Sequence, residues 1–285
     1  MKKTTVKDIV DRKGATERLT MLTAYDAPFA RLLDEAGIDI VLVGDSVGNV
    51  LLGYDSTVPV TMEEMLHHAR AASRGIERAL LIGDMPFLSY QVDPREAVAN
   101  AGRFLKEAGC DGVKLEGGLE MCDTVRAIVR AGIPVMGHIG LTPQTASQLG
   151  GYKVQGRDEE SARRLLAAAR GLEEAGVFAI VLESIPATLA KDVTAAVGIP
   201  TIGIGAGPHC DGQVLVTPDL LGMFDRRVPS FVKPYVKLAP RIREALATFR
   251  EEVRTARFPD EAHSFCMRLD PEKLLDRDDK GEGQP

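Results

Sequence analysis

One stretch decides the fold of this chain: Glu35-Ala36-Gly37-Ile38-Asp39-Ile40-Val41-Leu42-Val43-Gly44-Asp45. The phrase returns as Glu107-Ala108-Gly109-Cys110-Asp111-Gly112-Val113-Lys114-Leu115-Glu116 and as Glu174-Ala175-Gly176-Val177-Phe178-Ala179-Ile180-Val181-Leu182-Glu183. Each copy is typical of a helix end, a glycine that stops the helix, and a short apolar strand with an acid at its far end. Because all three strands end in a carboxylate, the phrase predicts one shared acidic site at one end of a parallel sheet.

The spacing of the copies predicts further strands between them. Successive copies lie about 70 residues apart, which is the length of roughly two strand–helix units. Five more apolar runs complete a set of eight: Arg18–Asp26, Ala79–Asp84, Ile133–His138, Pro200–Gly205 and Gln213–Val216. Between the strands lie helix-like stretches that end at glycine: Glu63–Gly75, Arg95–Gly109, Glu120–Gly132, Glu159–Gly176 and Thr188–Gly198.

Strands that alternate with helices favour a parallel α/β sheet, and eight repeats favour a closed (β/α)8 barrel over an open doubly wound sheet. No G-x-G-x-x-G fingerprint follows the first strand, which weakens a dinucleotide-binding interpretation. The segment Thr5–Arg12 is expected to form a helix that caps the barrel floor. We therefore predict a catalytic barrel over residues 1–258 and a charged, loosely ordered extension over residues 259–285.

Composition excludes several classes of function. The net charge is −6 and the sequence pI about 5.5, with no evident basic patch, so nucleic acid is not an expected partner. The N-terminus lacks the apolar core of a signal peptide, and no stretch is apolar enough to span a bilayer. The four cysteines are far apart in the sequence, which predicts reduced thiols in a cytoplasmic protein.

The predicted strand ends carry an unusual density of polar residues. In a (β/α)8 barrel these ends and their loops build the active site. Because side chains alternate along a strand, Lys114 and Glu116 share one face. The complete set is Asp26, Asp45, Ser46, Asp84, Lys114, Glu116, His138 and Glu183.

These residue types indicate metal-assisted proton chemistry. Clustered carboxylates without cysteine or paired histidine ligands favour a hard divalent cation, Mg²⁺ or Mn²⁺. Lys114 suits an anionic substrate group or a developing oxyanion, and Glu183 suits a general base beside a polarised carbonyl. A single strand-end aspartate is more often a helix cap, and for His138 a ligand contact and a structural hydrogen bond are equally open.

Several longer motifs give the chain a more specific resemblance. The sequence resembles the ketopantoate hydroxymethyltransferase family over roughly residues 4 to 250. The motifs that carry the resemblance are Leu22–Asp26, Val43–Ser46, Val58–Thr61, Asp84–Phe87, Val113–Gly118, Gly137–Gln144, Tyr152–Arg157, Leu182–Glu183, Gly203–Gly207 and Asp211–Val216.

The resemblance implies a barrel of the phosphoenolpyruvate/isocitrate lyase type that assembles as a homodecamer. It implies Asp45 and Asp84 as Mg²⁺ ligands, with Glu116 completing the site. It also implies that Ser46 and Lys114 hold the substrate carboxylate, with Asp45 and Asp84 close to the substrate. Each of these positions carries the residue that the family expects.

The reaction that the resemblance implies belongs to pantothenate biosynthesis. A hydroxymethyl group passes from 5,10-methylenetetrahydrofolate to 3-methyl-2-oxobutanoate through a Mg-stabilised enolate, and the product is 2-dehydropantoate. Glu183 is the implied proton acceptor, and His138 is expected near the folate or the substrate. The segment beyond about residue 258 has no clear counterpart in the family.

Two other hypotheses stay open from the sequence. One is another metal-dependent 2-oxoacid lyase or aldolase of the same barrel superfamily, including a variant in which Lys114 forms a Schiff base. The other is a non-catalytic ring scaffold that binds a metabolite. The intact acid set argues against the scaffold, because clustered buried carboxylates cost stability without a cation.

Overall fold

Eight parallel strands form the centre of the molecule. The structure is a computed structural model that describes residues 2–147, 150–224 and 228–266. The strands pair in chain order, and β1 pairs with β8 to close the barrel that the sequence predicted. They are β1 Leu19–Thr23, β2 Ile40–Val43, β3 Leu80–Asp84, β4 Gly112–Glu116, β5 Val135–Gly140, β6 Ala179–Glu183, β7 Thr201–Ile204 and β8 Gly212–Leu215.

Helices alternate with the strands around the outside of the barrel. They are α1 Val6–Val10, α2 Ala27–Glu35, α3 Met62–Ser73, α4 Pro94–Ala108, α5 Cys122–Arg130, α6 Glu159–Ala175, α7 Ala187–Ala196, α8 Thr217–Leu220 and α9 Leu238–Arg254. A π-helical turn spans Gly48–Leu52, and 3₁₀ turns span Leu119–Met121, Pro143–Thr145 and Glu261–His263. In the part of the chain that the structure describes, no helix is long and apolar enough to cross a membrane.

Three of the five predicted glycine stops have a left-handed backbone, including Gly132 after α5 with a φ angle of 84°, and two do not. Gly109 and Gly176 end α4 and α6 with positive φ angles of 71° and 102°. In contrast, Gly75 lies where a Cβ atom would come within 2.3 Å of the Ala27 carbonyl oxygen. Close packing against α2 therefore explains Gly75. The helix α7 ends at Ala196 with Val197 in an extended conformation, before Gly198 is reached.

The barrel floor is closed by α1, as the sequence predicted. Ile9 of α1 is buried in the core cluster that contains Leu19, Met21 and Ile40 from the strands. Behind α1, the buried Asp211 carboxylate accepts hydrogen bonds from the Gly14 backbone at 2.9 Å and from the Thr201 backbone at 2.9 Å, and pairs with Lys13 Nζ at 3.0 Å. Burial opposes ionisation of Asp211, but these donors hold its pKa below the usual value.

One side of the barrel differs from the rest. The helix α8 after β8 is a single turn, whereas α2 to α7 have between 9 and 17 residues. The outward-facing Thr20 of β1 and Gln213 of β8 are neighbours in the sheet, and both are exposed. The long helix α9 is amphipathic, yet Ala239 is its one buried residue. Helix α9 is not among the helices predicted from the sequence.

The predicted extension begins just after α9. Residues 259–266 are described and contain the short 3₁₀ turn, whereas residues 267–285 lie outside the described residues. The domain boundary at residue 258 and the loose order of the extension therefore stay predictions. The cytoplasmic location is also still a prediction.

We expect the substitution Asp211→Asn to destabilise the barrel. It replaces the carboxylate that accepts from the Gly14 and Thr201 backbone N–H groups and from the Lys13 ammonium with an uncharged amide. Loss of one buried charged hydrogen-bond acceptor costs about 1–3 kcal/mol, which corresponds to a fall of about 2–10 °C in the midpoint of thermal unfolding. Circular dichroism measures this midpoint, and the exposed Asp192→Asn serves as the control. Equal midpoints for the two variants would contradict the role given to Asp211.

Candidate active site

The structure brings all seven predicted site residues to one chamber at the carboxyl ends of the strands. The chamber has a volume of about 150 Å³. Its lining includes Asp45, Ser46, Asp84, Lys114, Glu116, His138 and Glu183. Asp26 is the predicted strand-end residue outside this set: its carboxylate accepts from the Phe29 backbone N–H and caps α2, as the common role of a strand-end aspartate predicts.

Strand register explains why these side chains meet. Asp84 is paired with Lys114 across β3 and β4, Glu116 with His138 across β4 and β5, and Gly140 with Glu183 across β5 and β6. The Lys114 Nζ atom lies 3.0 Å from Asp84 Oδ1 and 3.0 Å from His138 Nδ1. Lys114 is thus the cation at the centre of the chamber.

His138 lies between Lys114 and Glu183, and its Nε2 atom is buried without a hydrogen bond. Burial, followed by the positive charge of Lys114, lowers the pKa of His138 well below its usual value, so the ring is neutral. Because the Lys114 ammonium can only donate, Nδ1 of His138 accepts and the ring proton is on Nε2. That Nε2 atom lies 3.2 Å from Glu183 Oε2. The imidazole ring of His138 therefore lies between the Lys114 ammonium and the Glu183 carboxyl group.

Two contacts fix the loop after β2. The Asp45 backbone N–H donates to Asp84 Oδ2 at 3.1 Å, so the loop is tied to the end of β3. The Ser46 hydroxyl lies 2.9 Å from the hydroxyl of the buried Tyr25. Ser46 thereby has a fixed position at the rim of the chamber.

A second, larger cavity adjoins the chamber. It has a volume of about 690 Å³ and shares Ser46, Tyr152 and Glu183 with the chamber wall. Its other walls come from the loops after β5, β7 and β8, including Leu141, Gly205 and Asp219. The site therefore consists of a small polar compartment beside a larger one, with Glu183 between them.

Comparison with known proteins decides the family. The family model described as ketopantoate hydroxymethyltransferase matches residues 3–261. The chain belongs to this family. It is 59% identical over 276 residues to the 3-methyl-2-oxobutanoate hydroxymethyltransferase of Desulfotalea psychrophila, covering 97% of this chain and 99% of the relative. The enzyme of the same name from Moorella thermoacetica is 59% identical over 261 residues, covering 92% and 97%.

Solved structures confirm the predicted barrel fold. The phosphoenolpyruvate phosphomutase of Streptomyces platensis subsp. rosaceus aligns with a TM-score of 0.58 at 15% identity, covering 95% of this chain and 93% of that one. A 2,3-dimethylmalate lyase, described as a PEP mutase/isocitrate lyase superfamily member, aligns with a TM-score of 0.55 at 17% identity, covering 97% and 91%. At these identities the likeness concerns the fold alone.

Three acids of the chamber, Asp84, Glu116 and Glu183, have raised pKa values. Burial, helped by the charge of Asp45, raises the pKa of Glu183 to about 8, and burial raises that of Glu116 well above its usual value. Burial and the Asp45 charge outweigh the Lys114 ammonium at Asp84, whose pKa rises to about 7. At Lys114 the effect has the opposite sign, because Asp84 and Glu116 outweigh burial and raise its pKa.

This charge imbalance fits a divalent cation. Four carboxylates face one buried ammonium, and Glu116 Oε1 makes no hydrogen bond although it is buried. An all-oxygen donor set of this kind suits Mg²⁺ or Mn²⁺. Among the described residues, however, no three His, Cys, Asp or Glu side chains are arranged as a formed metal site. The ligand set Asp45, Asp84 and Glu116 therefore stays a prediction.

Two buried residues behind the chamber wall were not predicted from the sequence as site residues. They are Tyr90, which follows β3, and Gln144, which follows β5 and contacts Asp45. Gln144 is the last residue of the motif Gly137–Gln144, which extends beyond the end of β5. The motif therefore marked the position of Gln144. The direction of a side chain in a turn cannot be predicted from residue spacing, so its contact with Asp45 was not predicted.

We expect the metal-free protein to lose stability as the pH rises from about 5 to 8. The folded-state pKa values of Asp84 and Glu183 lie above the unfolded values near 4, so in this window the folded state binds more protons than the unfolded chain. The unfolding free energy therefore falls with increasing pH. Thermal unfolding in EDTA at several pH values measures this slope.

The same reasoning predicts that a divalent cation stabilises the fold more at pH 8 than at pH 5.5, because the cation competes with protons for the carboxylates. Addition of Mg²⁺ or Mn²⁺ at both pH values provides the comparison. A midpoint that rises with pH in EDTA, or a cation effect that is larger at pH 5.5, would show that these acids are ionised without a cation.

Proposed function

We propose that this chain transfers a hydroxymethyl group from 5,10-methylenetetrahydrofolate to 3-methyl-2-oxobutanoate and forms 2-dehydropantoate, a step of pantothenate biosynthesis. The family match and the names of the relatives support this reaction. The observation that carries it in the structure is the position of Glu183 in the wall shared by the small chamber and the larger cavity. A base in this place can take a proton from a small acid while the second substrate lies beside it.

The chamber suits a small 2-oxo acid. Its volume of about 150 Å³ is far below the 300–1,000 Å³ of drug-sized ligand sites. The Lys114 ammonium and the Ser46 hydroxyl are the groups that would bind the substrate carboxylate. Both are held by neighbours, Lys114 by Asp84 and Ser46 by Tyr25, so the acid would enter a site whose donors are already in place.

The metal requirement follows from the same acids. Asp45 and Asp84, with Glu116, would hold Mg²⁺, which when bound polarises the substrate carbonyl and so acidifies the C3 proton. The cation also supplies the positive charge that the chamber lacks. The single positive charge of Lys114 can offset the negative charge of only one of the four carboxylates.

Glu183 is the proposed proton acceptor. Its burial and the nearby Asp45 charge make it a stronger base than a solvated glutamate, because both raise its pKa. The C3–H bond breaks, the proton passes to a Glu183 oxygen, and the electron pair of that bond becomes part of the enolate. C3 of the enolate then bonds to the methylene carbon as one carbon–nitrogen bond of the folate breaks. The second carbon–nitrogen bond is replaced by a bond to the oxygen of water, so tetrahydrofolate leaves. One water molecule is consumed overall and supplies the hydroxyl group of the product.

The larger cavity is the proposed folate site. Its volume of about 690 Å³ falls in the range of organic cofactor sites, and it opens directly beside Glu183. His138 lies in the chamber wall and not among the residues that line the larger cavity. We therefore favour contact of His138 with the oxoacid or with Glu183 over contact with the folate.

The Schiff-base alternative for Lys114 has little support in the geometry. A Schiff base requires a neutral amine with a free lone pair. Asp84 lies 3.0 Å from Nζ, and the surrounding carboxylates raise the pKa of Lys114. Lys114 therefore stays an ammonium and acts as a binding group.

The substitution Glu183→Gln tests the base. It removes the proton acceptor and keeps the size of the side chain, so we expect the Mg²⁺-dependent exchange of the C3 proton of 3-methyl-2-oxobutanoate in D₂O to fall about 10²–10⁴-fold. Nuclear magnetic resonance in the absence of folate measures this half-reaction. The oxoacid should still bind, because Lys114 and Ser46 remain.

The matched control for this prediction is Glu174→Gln. Glu174 is exposed and opens the same recurring phrase that Glu183 closes. Its exchange rate should equal that of the unsubstituted protein. Undiminished exchange in Glu183→Gln would remove Glu183 from the base role, and absence of exchange in the unsubstituted protein with Mg²⁺ would count against the proposed reaction.

We also propose that the chain assembles with further copies of itself, up to the decamer that the family resemblance implies. The supporting observations are the incompletely covered β1–β8 side of the barrel and the apolar residues that α9 exposes. Ile242 is 43% and Leu246 is 63% exposed. Among the described residues, none buries Ile242 or Leu246, so this face of the amphipathic helix is suited to an apolar surface on another copy.

The double substitution Ile242→Glu and Leu246→Glu tests the assembly. Charges on the apolar face of α9 should shift the protein to smaller species in size-exclusion chromatography with light scattering. Thr248→Glu, on another face of the same helix, is the control for added charge. An unchanged mass for the double variant would contradict an interface through α9.

A further inference from the structure

Gln144 connects three strand ends of the site. Its side chain is only 2% exposed, and it lies in the turn Pro143–Thr145 after β5. Its Nε2 atom donates to Asp45 Oδ2 and to the Met85 carbonyl, each at 2.9 Å. Its backbone N–H donates to Glu116 Oε2 at 3.0 Å. One residue thus holds two of the proposed metal ligands and the backbone beside the third.

The direction of the Gln144 amide is determined by its neighbours. A carboxylate and a backbone carbonyl can only accept hydrogen bonds, so the nitrogen must face Asp45 and Met85. The oxygen Oε1 then faces the Tyr90 hydroxyl at 2.8 Å. Tyr90 is itself buried, and its oxygen accepts from the Glu116 backbone N–H at 3.1 Å. Its single proton has two acceptors within reach, the Glu116 carbonyl oxygen at 3.1 Å and Gln144 Oε1 at 2.8 Å, and the shorter contact favours Gln144.

This arrangement occupies one oxygen of each carboxylate and leaves the other. Glu116 Oε2 accepts from Gln144, whereas Glu116 Oε1 is buried without a hydrogen bond. Asp45 Oδ2 accepts from Gln144, so the rotation of the Asp45 carboxylate is fixed as well. Gln144 does not belong to the chamber lining, although its neighbour Pro143 does. It contacts the Asp45 and Glu116 carboxylates from outside the chamber.

We propose that Gln144 is a positioning residue for the divalent cation, that it orients the Asp45 and Glu116 carboxylates, and that Tyr90 fixes its amide. This inference rests on the proposed metal-dependent function. Partners that orient metal ligands in this way are typically worth 10–100-fold in metal affinity. A purely structural role would change stability and leave the metal affinity unaltered.

The test measures Mn²⁺ binding without substrate, by electron paramagnetic resonance of the free ion. We expect Gln144→Leu to raise the Mn²⁺ dissociation constant about 10–100-fold. Tyr90→Phe, which removes one hydroxyl, should raise it by a smaller factor. Because Tyr90 acts through Gln144, the double variant should bind Mn²⁺ no more weakly than Gln144→Leu alone.

Asn100→Leu is the matched control for loss of a nearby amide. The Asn100 side chain, in α4, donates to the Ser89 carbonyl at 2.8 Å. Ser89 lies in the same loop as Tyr90. Its Mn²⁺ affinity should equal that of the unsubstituted protein. If Asn100→Leu weakened Mn²⁺ binding as much as Gln144→Leu, general loosening of the loops would explain the effect and overturn the proposal.

The remaining outcomes separate this inference from the proposed function. Unsubstituted protein that binds no Mn²⁺ would overturn the proposed metal site and, with it, the role of Gln144. Mn²⁺ binding that is unchanged in Gln144→Leu would overturn the positioning role alone. If Gln144→Leu does not fold, Tyr90→Phe decides, because it keeps the amide, and an unchanged dissociation constant would reject the proposal.

Discussion

The ion pair between Lys114 and Asp84 is the interaction on which the site depends. It places an ammonium at the centre of a chamber whose other charged side chains are all acids. Even with this ammonium present, burial holds the pKa values of Asp84, Glu116 and Glu183 above their usual values. With it, one carboxylate is paired, His138 is held as a neutral ring, and a deficit of positive charge remains that suits a divalent ion. The (β/α)8 barrel makes this possible because neighbouring parallel strands end at the same level.

Much of this could be predicted from the sequence. The strands were predictable because short apolar runs end in charged residues, and the alternation of side chains along a strand is enough to place Lys114 and Glu116 on one face. Asp45, Asp84 and Glu183 follow from the same logic, since each ends or directly follows a buried strand. The closed barrel followed from eight repeats of one strand–helix unit.

The rest depended on contacts between distant parts of the chain. Gln144 and Tyr90 lie in turns whose direction is set by hydrogen bonds to other loops, and no local periodicity encodes that direction. Gly75 was interpreted as a helix stop, whereas its place is explained by the approach of the Ala27 carbonyl. The helix α9 has apolar residues at helical spacing. Among the described residues of the barrel, no surface buries most of them, so the surface that they contact could not be predicted from the sequence.

The two adjoining cavities have a kinetic consequence. The small chamber shares Ser46, Tyr152 and Glu183 with the larger cavity, so a molecule seated in the larger cavity would lie across that side of the chamber. Under the proposed function, an oxoacid that enters from this side would have to bind before the folate. Excess folate would then inhibit the reaction by covering the empty chamber.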